Sequence, residues 1–192
     1  MQDKGQSVTR SLALGAALAV ALAGCEAAPP PPAARTTGVR SVELANVSLA
    51  LARLPEFGKL RAALRSTGLA PTLVSAPAIT LLAPRDTAFA LIPTEERAAL
   101  LAPENGAALM LSLRSMMLPR LLRADELRTL IRDGGGSVTM PSMAGRPLTF
   151  TLSEAAPDEI VVTSATGATA TMGTQEIGAG NGAIYVLDRW IG

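Results

Sequence analysis

Two short apolar segments, far apart in the chain, constrain the fold of this protein more than any other feature. Residues 80–93 read Thr-Leu-Leu-Ala-Pro-Arg-Asp-Thr-Ala-Phe-Ala-Leu-Ile-Pro, and residues 180–190 read Gly-Asn-Gly-Ala-Ile-Tyr-Val-Leu-Asp-Arg-Trp. Strand character in the first is clearest at Ile79–Leu82. The second contains Ala183–Leu187, which is apolar on both faces, so it predicts a strand that is covered on both sides.

Residues beside these runs carry the signals that begin and end elements. Asp86 is placed to cap a short helix that starts at Thr87. Asn181-Gly182 suits a tight turn with positive φ that leads into the last strand. Because the glycine-rich stretch 178–182 precedes a strand rather than a helix, it predicts a hairpin and not a phosphate-binding loop.

The periodicity of apolar residues changes once along the chain. Apart from the strand predicted at 79–82, they recur at helical spacing up to about residue 132, and beyond residue 136 they alternate. Helices followed by strands favour the α+β class. The predicted helices are Glu56–Ser66, Thr94 to about Leu101, Glu104–Arg114 and Ala124–Arg132, and the further predicted strands are Ser137–Met140, Leu148–Leu152, Glu159–Thr163 and Thr169–Met172.

Together and in this order, the two apolar segments resemble the two signature segments of the fasciclin (FAS1) adhesion domain. The resemblance extends over about residues 41–191. It implies an α+β fold in which several N-terminal helices pack on a wedge of two small β-sheets. In such a fold Thr80–Ala83 is a core strand that Pro84 breaks, and the helix capped by Asp86 inserts Phe89 and Leu91 into the interior.

The signature residues are candidate binding residues, with a purely core-building role as the alternative, since apolar periodicity mostly reports packing. The resemblance implies that Asp188 holds adjacent backbone amides. The candidates are Thr80, Pro84, Asp86, Phe89, Asn181, Gly182, Tyr185 and Asp188.

This chain departs from the family pattern at two places. A third family segment usually carries a Tyr-His pair, where this chain has Ser115 and Met116, and the second signature usually has histidine where this chain has Tyr185. Integrin-type adhesion in animal relatives is tied to residues near the Tyr-His pair. We therefore do not carry that activity over to this chain.

The N-terminus resembles a bacterial lipoprotein signal. Lys4 and Arg10 precede the uncharged apolar run Leu12–Ala23, which is shorter than the roughly 20 residues of a membrane span but suits a signal peptide. The run ends in Leu-Ala-Gly followed by Cys25, the single cysteine of the chain. The resemblance implies cleavage before Cys25 and acylation of that residue, and the alternative is an ordinary secretory signal.

These features predict three parts along the chain. Residues 1–24 are a lipoprotein signal peptide, and residues 25–40 are the lipidated cysteine with a Pro/Ala-rich linker that favours extended polyproline II structure. Residues 41–192 are the fasciclin-like domain. By resemblance to lipoprotein sorting, Glu26 after the cysteine favours an outer-membrane lipoprotein of the cell envelope that faces the periplasm or the exterior.

Composition argues against catalysis. The chain contains no histidine, which removes Ser-His-Asp and Cys-His nucleophilic sites. With Cys25 committed to lipid, ordinary zinc sites are removed as well. The paired carboxylates, such as Glu95/Glu96, are sequence neighbours and do not face each other on a helix. We therefore expect a protein that is not an enzyme and has no cofactor or metal.

Charge gives one weak indication of a partner. The formal net charge is +1, which provides no general electrostatic reason to bind nucleic acid. Arg120, Arg123 and Arg128 belong to an arginine cluster and are candidate contacts for acidic glycans or lipid headgroups. The alternative is a solvated helix face balanced by nearby acids.

Three functions remain open at this point. The first is a lipid-anchored extracytoplasmic module for cell adhesion or for binding matrix, glycans or envelope proteins. The second is an envelope carrier of a small apolar ligand, held between the leucine-rich helices and the sheet. The third is a hydrolase that uses acidic residues alone.

Overall fold

A computed structural model describes residues 45–154, 156 and 158–192. The predicted signal peptide, Cys25 and the Pro/Ala-rich linker lie outside the described residues, so they remain predictions. Within the described ranges, none of the helices has both the length and the apolar character needed to cross a bilayer.

The described chain forms seven α-helices, seven strands and two 3₁₀ turns. The helices are α1 (Val47–Ala52), α2 (Gly58–Ser66), α3 (Ala70–Ser75), α4 (Asp86–Ala90), α5 (Thr94–Leu101), α6 (Gly106–Ser115) and α7 (Ala124–Asp133). The strands are β1 (Ile79–Pro84), β2 (Met117–Leu118), β3 (Ser137–Pro141), β4 (Pro147–Leu152), β5 (Ile160–Ser164), β6 (Thr169–Ala179) and β7 (Gly182–Leu187). The 3₁₀ turns are Pro55–Phe57 and Pro103–Asn105.

The strands form one mixed sheet in the order β2-β1-β7-β6-β5-β4-β3. β1 and β7 pair in parallel, with Leu81 opposite Ile184, whereas the neighbours on either side pair antiparallel. A parallel pair requires a crossover connection. Here the connection contains most of the domain, because β1 is the first strand in the chain and β7 is the last. The predicted α+β class is confirmed.

Strand β6 joins the two halves of the sheet. Its first part pairs with β5, from Thr169 to Met172, and its second part pairs with β7, from Glu176 to Ala179. The register shifts between Met172 and Glu176, and such a bulge bends the strand that contains it. The two small sheets expected from the resemblance are thus two parts of one sheet, and β6 belongs to both parts.

A single hydrophobic core holds both signature segments. Phe89 and Ile184 are fully buried members of the same cluster of side chains. The Phe89 ring lies 5.0 Å from the Trp190 ring, centroid to centroid, at an interplanar angle of 49°, within the range for favourable aromatic pairs. All six residues of β1 and all six of β7 are buried, which confirms the coverage predicted for the last strand.

Two arginine side chains donate hydrogen bonds to backbone carbonyls at and just after the C-terminal ends of short helices. Arg61 Nη1 donates to the carbonyls of Leu51 and Leu54 at 3.1 and 2.7 Å. Arg97 Nη1 donates to the carbonyls of Phe89 and Ile92, both at 3.2 Å. Because the last carbonyls of a helix lack partners inside the helix, these contacts stabilise helices too short to be stable alone.

The position of Leu91 and the presence of α3 differ from the sequence expectations. Leu91, expected in the interior, is 66% exposed, because α4 ends at Ala90 and a residue two positions after Phe89 points to the opposite side of the helix. The second is α3, a helix that was not predicted from the sequence. Pro71 lies in its first turn, where proline is tolerated.

Gly182 is needed for a different reason from the one predicted. Its backbone φ is not in the left-handed region, so the positive φ expected at Gly182 is wrong. A β-carbon at this position would overlap the carbonyl oxygen of Ile79 and lie 2.9 Å from Val47 Cγ2. The parallel pairing of β1 with β7, which places Ile79 opposite Gly182, brings the two backbones together here, and a side chain would separate them.

We expect Gly182→Ala to lower the free energy of unfolding by about 1–3 kcal/mol, the usual cost of overpacking. Urea titration followed by circular dichroism measures this. Gly178→Ala is the matched control, because a β-carbon at Gly178 meets no atom within 4 Å. Equal stability of the two variants would contradict the assigned role of Gly182.

Candidate functional site

Asn181 ties the hairpin between β6 and β7 to two helices. Its Oδ1 accepts a hydrogen bond from the Val47 backbone N–H at 2.9 Å. Its Nδ2 donates to the carbonyls of Leu73 and Ala76, each at 3.0 Å. The side chain therefore binds the first residue of α1 and the end of α3 at once. The predicted hairpin is present at this position, and Asn181 makes it a junction of three elements.

Asp86 caps a helix other than its own. Its carboxylate accepts from the backbone N–H groups of Gly58 at 3.2 Å and Lys59 at 2.8 Å, which are the first two residues of α2. The N-cap residue of α4 is Arg85, and its side chain makes no capping bond. The prediction that Asp86 caps the helix at Thr87 is therefore wrong, since the carboxylate binds the N-terminus of α2, 27–28 residues earlier in the chain.

Thr80 is a buried polar residue near the start of β1. Its Oγ1 donates to the Arg120 carbonyl at 2.8 Å and accepts from the Leu122 N–H at 2.9 Å. Both partners lie in the connection between β2 and α7. The hydroxyl thus satisfies two backbone groups and fixes the segment that leads into α7.

Tyr185, where the family usually has histidine, is fully buried in β7. Its hydroxyl oxygen lies 2.9 Å from the Leu122 carbonyl and 2.9 Å from Glu176 Oε2. A phenol has one proton to donate, so the two acceptors share it. Glu176 Oε2 also accepts from the Ala124 N–H at 3.1 Å, at the N-terminus of α7.

Burial, and then the negative charge of Glu176, raise the pKa of Tyr185 far above its ordinary value. The folded protein therefore keeps the phenol protonated at a pH where the unfolded chain releases the proton, above about 10. Tyr185 contributes its full stabilisation below that pH, and the contribution falls as the pH rises further. Near neutral pH the phenol is therefore uncharged, and its hydroxyl donates a hydrogen bond that stabilises the fold.

The remaining signature residues are also held within the fold. Asp188 Oδ1 accepts from the Thr171 N–H of the neighbouring strand at 2.7 Å, so the backbone amide that it binds lies across the sheet. Pro84 is buried at the end of β1, opposite Leu187. Phe89 packs in the core, as described above. The signature residues thus make internal contacts, and their role as a binding site stays a prediction.

Ser115 and Met116 replace the Tyr-His pair at the end of α6, and both are buried. The Ser115 hydroxyl donates to the Ser112 carbonyl at 2.6 Å. A pocket of about 10 Å³ lies beside it, between Arg146 and Ile191, with room for about one water molecule. At this position the chain therefore has a small polar residue, Ser115, whose hydroxyl is hydrogen-bonded within its own helix.

The three candidate anion-binding arginines surround the start of α7, and each has a partner within the protein. Arg120 Nη2 lies 2.6 Å from Glu126 Oε1, and Arg123 Nη1 lies 3.5 Å from Glu176 Oε1. Arg128 Nη2 donates to the Asp158 carbonyl at 3.0 Å. Acidic neighbours thus offset two of the three charges, as the solvated-face alternative expects.

Glu176 is the functional-site neighbour that sequence reasoning missed. It binds Tyr185, the start of α7 and Arg123 from one carboxylate. The sequence carries no signal for it, because the bulge in β6 sets the direction in which Glu176 points. In the part of the chain that the structure describes, no group of three or more Cys, Asp or Glu side chains is placed to hold a metal ion.

Comparisons with known proteins agree with this arrangement. The family model of the fasciclin domain matches residues 55–192. Among solved structures, the chain is similar to the FAS1 domain pair of the insect cell adhesion molecule fasciclin I, with a TM-score of 0.58 and 17% sequence identity. That match covers 77% of this chain and 51% of the other, so the chain spans about half the length of the pair. A search of curated proteins found no match.

The paired signature strands, the helices packed on them and the family match define the class of protein. The chain belongs to the fasciclin domain family. This confirms the resemblance that its two apolar segments indicated. At this identity, the structural likeness adds support for the fold alone.

We expect Asp86→Ala to lower the free energy of unfolding by about 1–2 kcal/mol, because the exposed N-terminus of α2 loses a capping carboxylate. Asp86→Asn keeps one acceptor oxygen and should cost less. Guanidinium titration measures both variants against Glu154→Ala, which removes an exposed carboxylate in a loop. If Asp86→Ala is as stable as the control, the capping role is wrong.

Proposed function

We propose that this protein is a non-catalytic adhesion module, held at the cell envelope by a lipid on Cys25 and presenting its fasciclin domain to matrix, glycans or envelope proteins. The observation that carries the proposal is the internal use of the polar signature side chains. Asn181, Asp86 and Thr80 bind backbone groups of the domain itself. Because these side chains already make hydrogen bonds inside the domain, we place the binding surface on the outside of the domain.

The contacts of the acidic residues support a non-catalytic role. Glu126 is paired with Arg120, and Glu176 is engaged by Tyr185 and by the α7 N-terminus. Glu95 and Glu96 lie exposed in the first turn of α5, where acidic residues stabilise a helix through its dipole. These contacts give the four carboxylates structural roles that require no acid–base chemistry.

Packing between the helices and the sheet favours adhesion over carriage of a small apolar ligand. The place proposed for such a ligand holds fully buried side chains, including Phe57, Phe89 and Leu60. Protein interiors of this kind are close-packed, and ligand pockets are usually several hundred Å³ in volume.

The anchor is inferred from the sequence before the domain. The apolar run Leu12–Ala23 followed by Cys25 resembles a lipoprotein signal. Several acyl chains on one cysteine exceed the two signals needed for stable membrane attachment. The four consecutive prolines at 29–32 predict a stiff, extended spacer, which suits a domain held away from a lipid surface.

We expect Cys25→Ser to abolish incorporation of radiolabelled palmitate, because the acylated thiol is gone, and to release the protein from bacterial membranes. Cells that express the wild-type chain should adhere to surfaces coated with envelope extract, and cells that express Cys25→Ser should not.

Gly24→Ala, which keeps a small residue before the cysteine, is the control and should behave as the wild type. Unchanged labelling of Cys25→Ser would contradict the anchor. Wild-type labelling without adhesion above that of an unrelated lipoprotein would contradict the adhesion role.

A further inference from the structure

Two of the three asparagines in this chain precede a glycine, in the dipeptides Asn105-Gly106 and Asn181-Gly182. An asparagine before glycine is chemically labile, because glycine has no side chain to hinder the attack of its backbone nitrogen on the asparagine side chain. The attack forms a cyclic succinimide, which water then opens. The same reactive dipeptide therefore occurs twice, and the structure surrounds the two copies in different ways.

The fold holds both reacting groups of the Asn181-Gly182 dipeptide. The side-chain oxygen of Asn181 accepts a hydrogen bond from the Val47 N–H. Its side-chain nitrogen donates to the Leu73 and Ala76 carbonyls. Gly182 is buried, so base from the solvent does not reach its N–H while the hairpin is closed. Ring closure requires the side-chain amide to leave its three partners, and the closed hairpin therefore blocks the reaction.

The Asn105-Gly106 dipeptide lies at the junction of the second 3₁₀ turn and α6, where both residues are partly exposed. Within the described residues, the Asn105 side chain makes one hydrogen bond, from its nitrogen to the Ala99 carbonyl at 2.7 Å. A β-carbon at Gly106 would meet no atom of the surrounding elements within 4 Å. A small local opening frees this dipeptide, whereas freeing Asn181 separates the hairpin from two helices.

The products of the reaction do not fit the closed hairpin. Opening of the succinimide gives aspartate, or isoaspartate, in which the main chain runs through the side-chain carbons. An ionised aspartate has no N–H to donate to the Leu73 and Ala76 carbonyls, and it places a negative charge against them. Isoaspartate needs extra room beside Gly182, where even a β-carbon would overlap the carbonyl oxygen of Ile79. Either product therefore opposes closure of the hairpin.

We propose that Asn181 is a latent deamidation site, which reacts when the β6–β7 hairpin separates from α1 and α3 and whose product prevents the domain from closing as before. Hydroxide removes the Gly182 amide proton, and the nitrogen forms a bond to Asn181 Cγ. The Cγ–Nδ2 bond breaks, and the leaving nitrogen takes a proton from water and departs as ammonia. Water then opens the ring at either carbonyl. A transient opening of the domain is thus converted into a permanent chemical change.

Peptide mapping by mass spectrometry tests this on the full-length protein, incubated in mildly alkaline buffer either folded or in concentrated urea. In urea we expect Asn105 and Asn181 to deamidate at similar rates. In the folded protein Asn181 should react at least about a hundredfold more slowly than in urea, because a stable hairpin is open in a small fraction of molecules. Asn105 should be slowed less, since one hydrogen bond holds it.

Two substitutions in α1 separate opening of the hairpin from the chemistry of the dipeptide. Val47→Ala removes buried methyl groups beside Gly182 and should raise the rate at Asn181 about tenfold or more, because it weakens the packing that keeps the hairpin closed. Leu49→Ala, at an exposed position of the same helix, is the matched control and should leave the rate unchanged. Neither variant should alter the rate at Asn105. Circular dichroism verifies that both are folded.

The effect of the product is measured separately, with variants that carry its side chain. Asn181→Asp should lower the urea midpoint of unfolding below that of the wild type. Asn105→Asp should lower it less, because residue 105 is the N-cap of α6, where an acidic residue is favoured.

Three outcomes would overturn the inference. The first is deamidation of Asn181 as fast in the folded protein as in urea. The second is an equal rate at Asn181 in folded Val47→Ala and Leu49→Ala. The third is equal stability of Asn181→Asp and Asn105→Asp. If Val47→Ala does not fold, a urea series on the wild type replaces it, and a rate at Asn181 that does not rise as the unfolded fraction rises would overturn the link to opening.

Discussion

The parallel pairing of β1 with β7 is the contact on which the rest of the structure depends. It joins two segments about a hundred residues apart, with Leu81 opposite Ile184 and Pro84 opposite Leu187, and each strand is buried along its whole length. Closing so long a loop costs conformational entropy, although the cost grows only slowly with length. Burial of two apolar strands on both faces supplies the compensating free energy, at about 25 cal/mol per Å² of apolar surface.

Polar side chains of the signature segments then connect this pair to the elements around it. Asn181 joins the hairpin to α1 and α3, Asp86 reaches the start of α2, and Thr80 fixes the segment before α7. Tyr185 and Glu176 hold the α7 N-terminus. Each is a partly or fully buried group whose loss would leave backbone donors or acceptors unsatisfied, which costs more than the bond itself contributes. The polar signature residues of this chain therefore hold its architecture together.

Sequence reasoning predicted what depends on local periodicity. The helix at 124–132, the alternation of 137–140 and 148–152, and the burial of the last strand all follow from which residues are apolar. It failed where the structure depends on contacts between residues that are far apart in the sequence. The partner of Asp86 is a helix that precedes it by nearly thirty residues, the demand on Gly182 comes from Ile79, and the direction of Glu176 comes from a bulge. Leu91 was misplaced because α4 ends one residue before it.

A row of four threonines across strands β3 to β6 shows the same limit. Single threonines at alternate positions are ordinary in strands, and nothing in the sequence aligns Thr139 with Thr149, Thr163 and Thr169. The register alone creates the row. The polar residues that identify the family, by contrast, make hydrogen bonds to backbone groups within the fold.

Native-state amide hydrogen exchange tests the central role of the β1–β7 pair most directly. Amides of β1 and β7 should exchange together, with an opening free energy equal to that of global unfolding, because neither strand can leave without exposing the shared core. Exchange of β1 through a smaller opening, while β7 stays protected at the global value, would contradict the account.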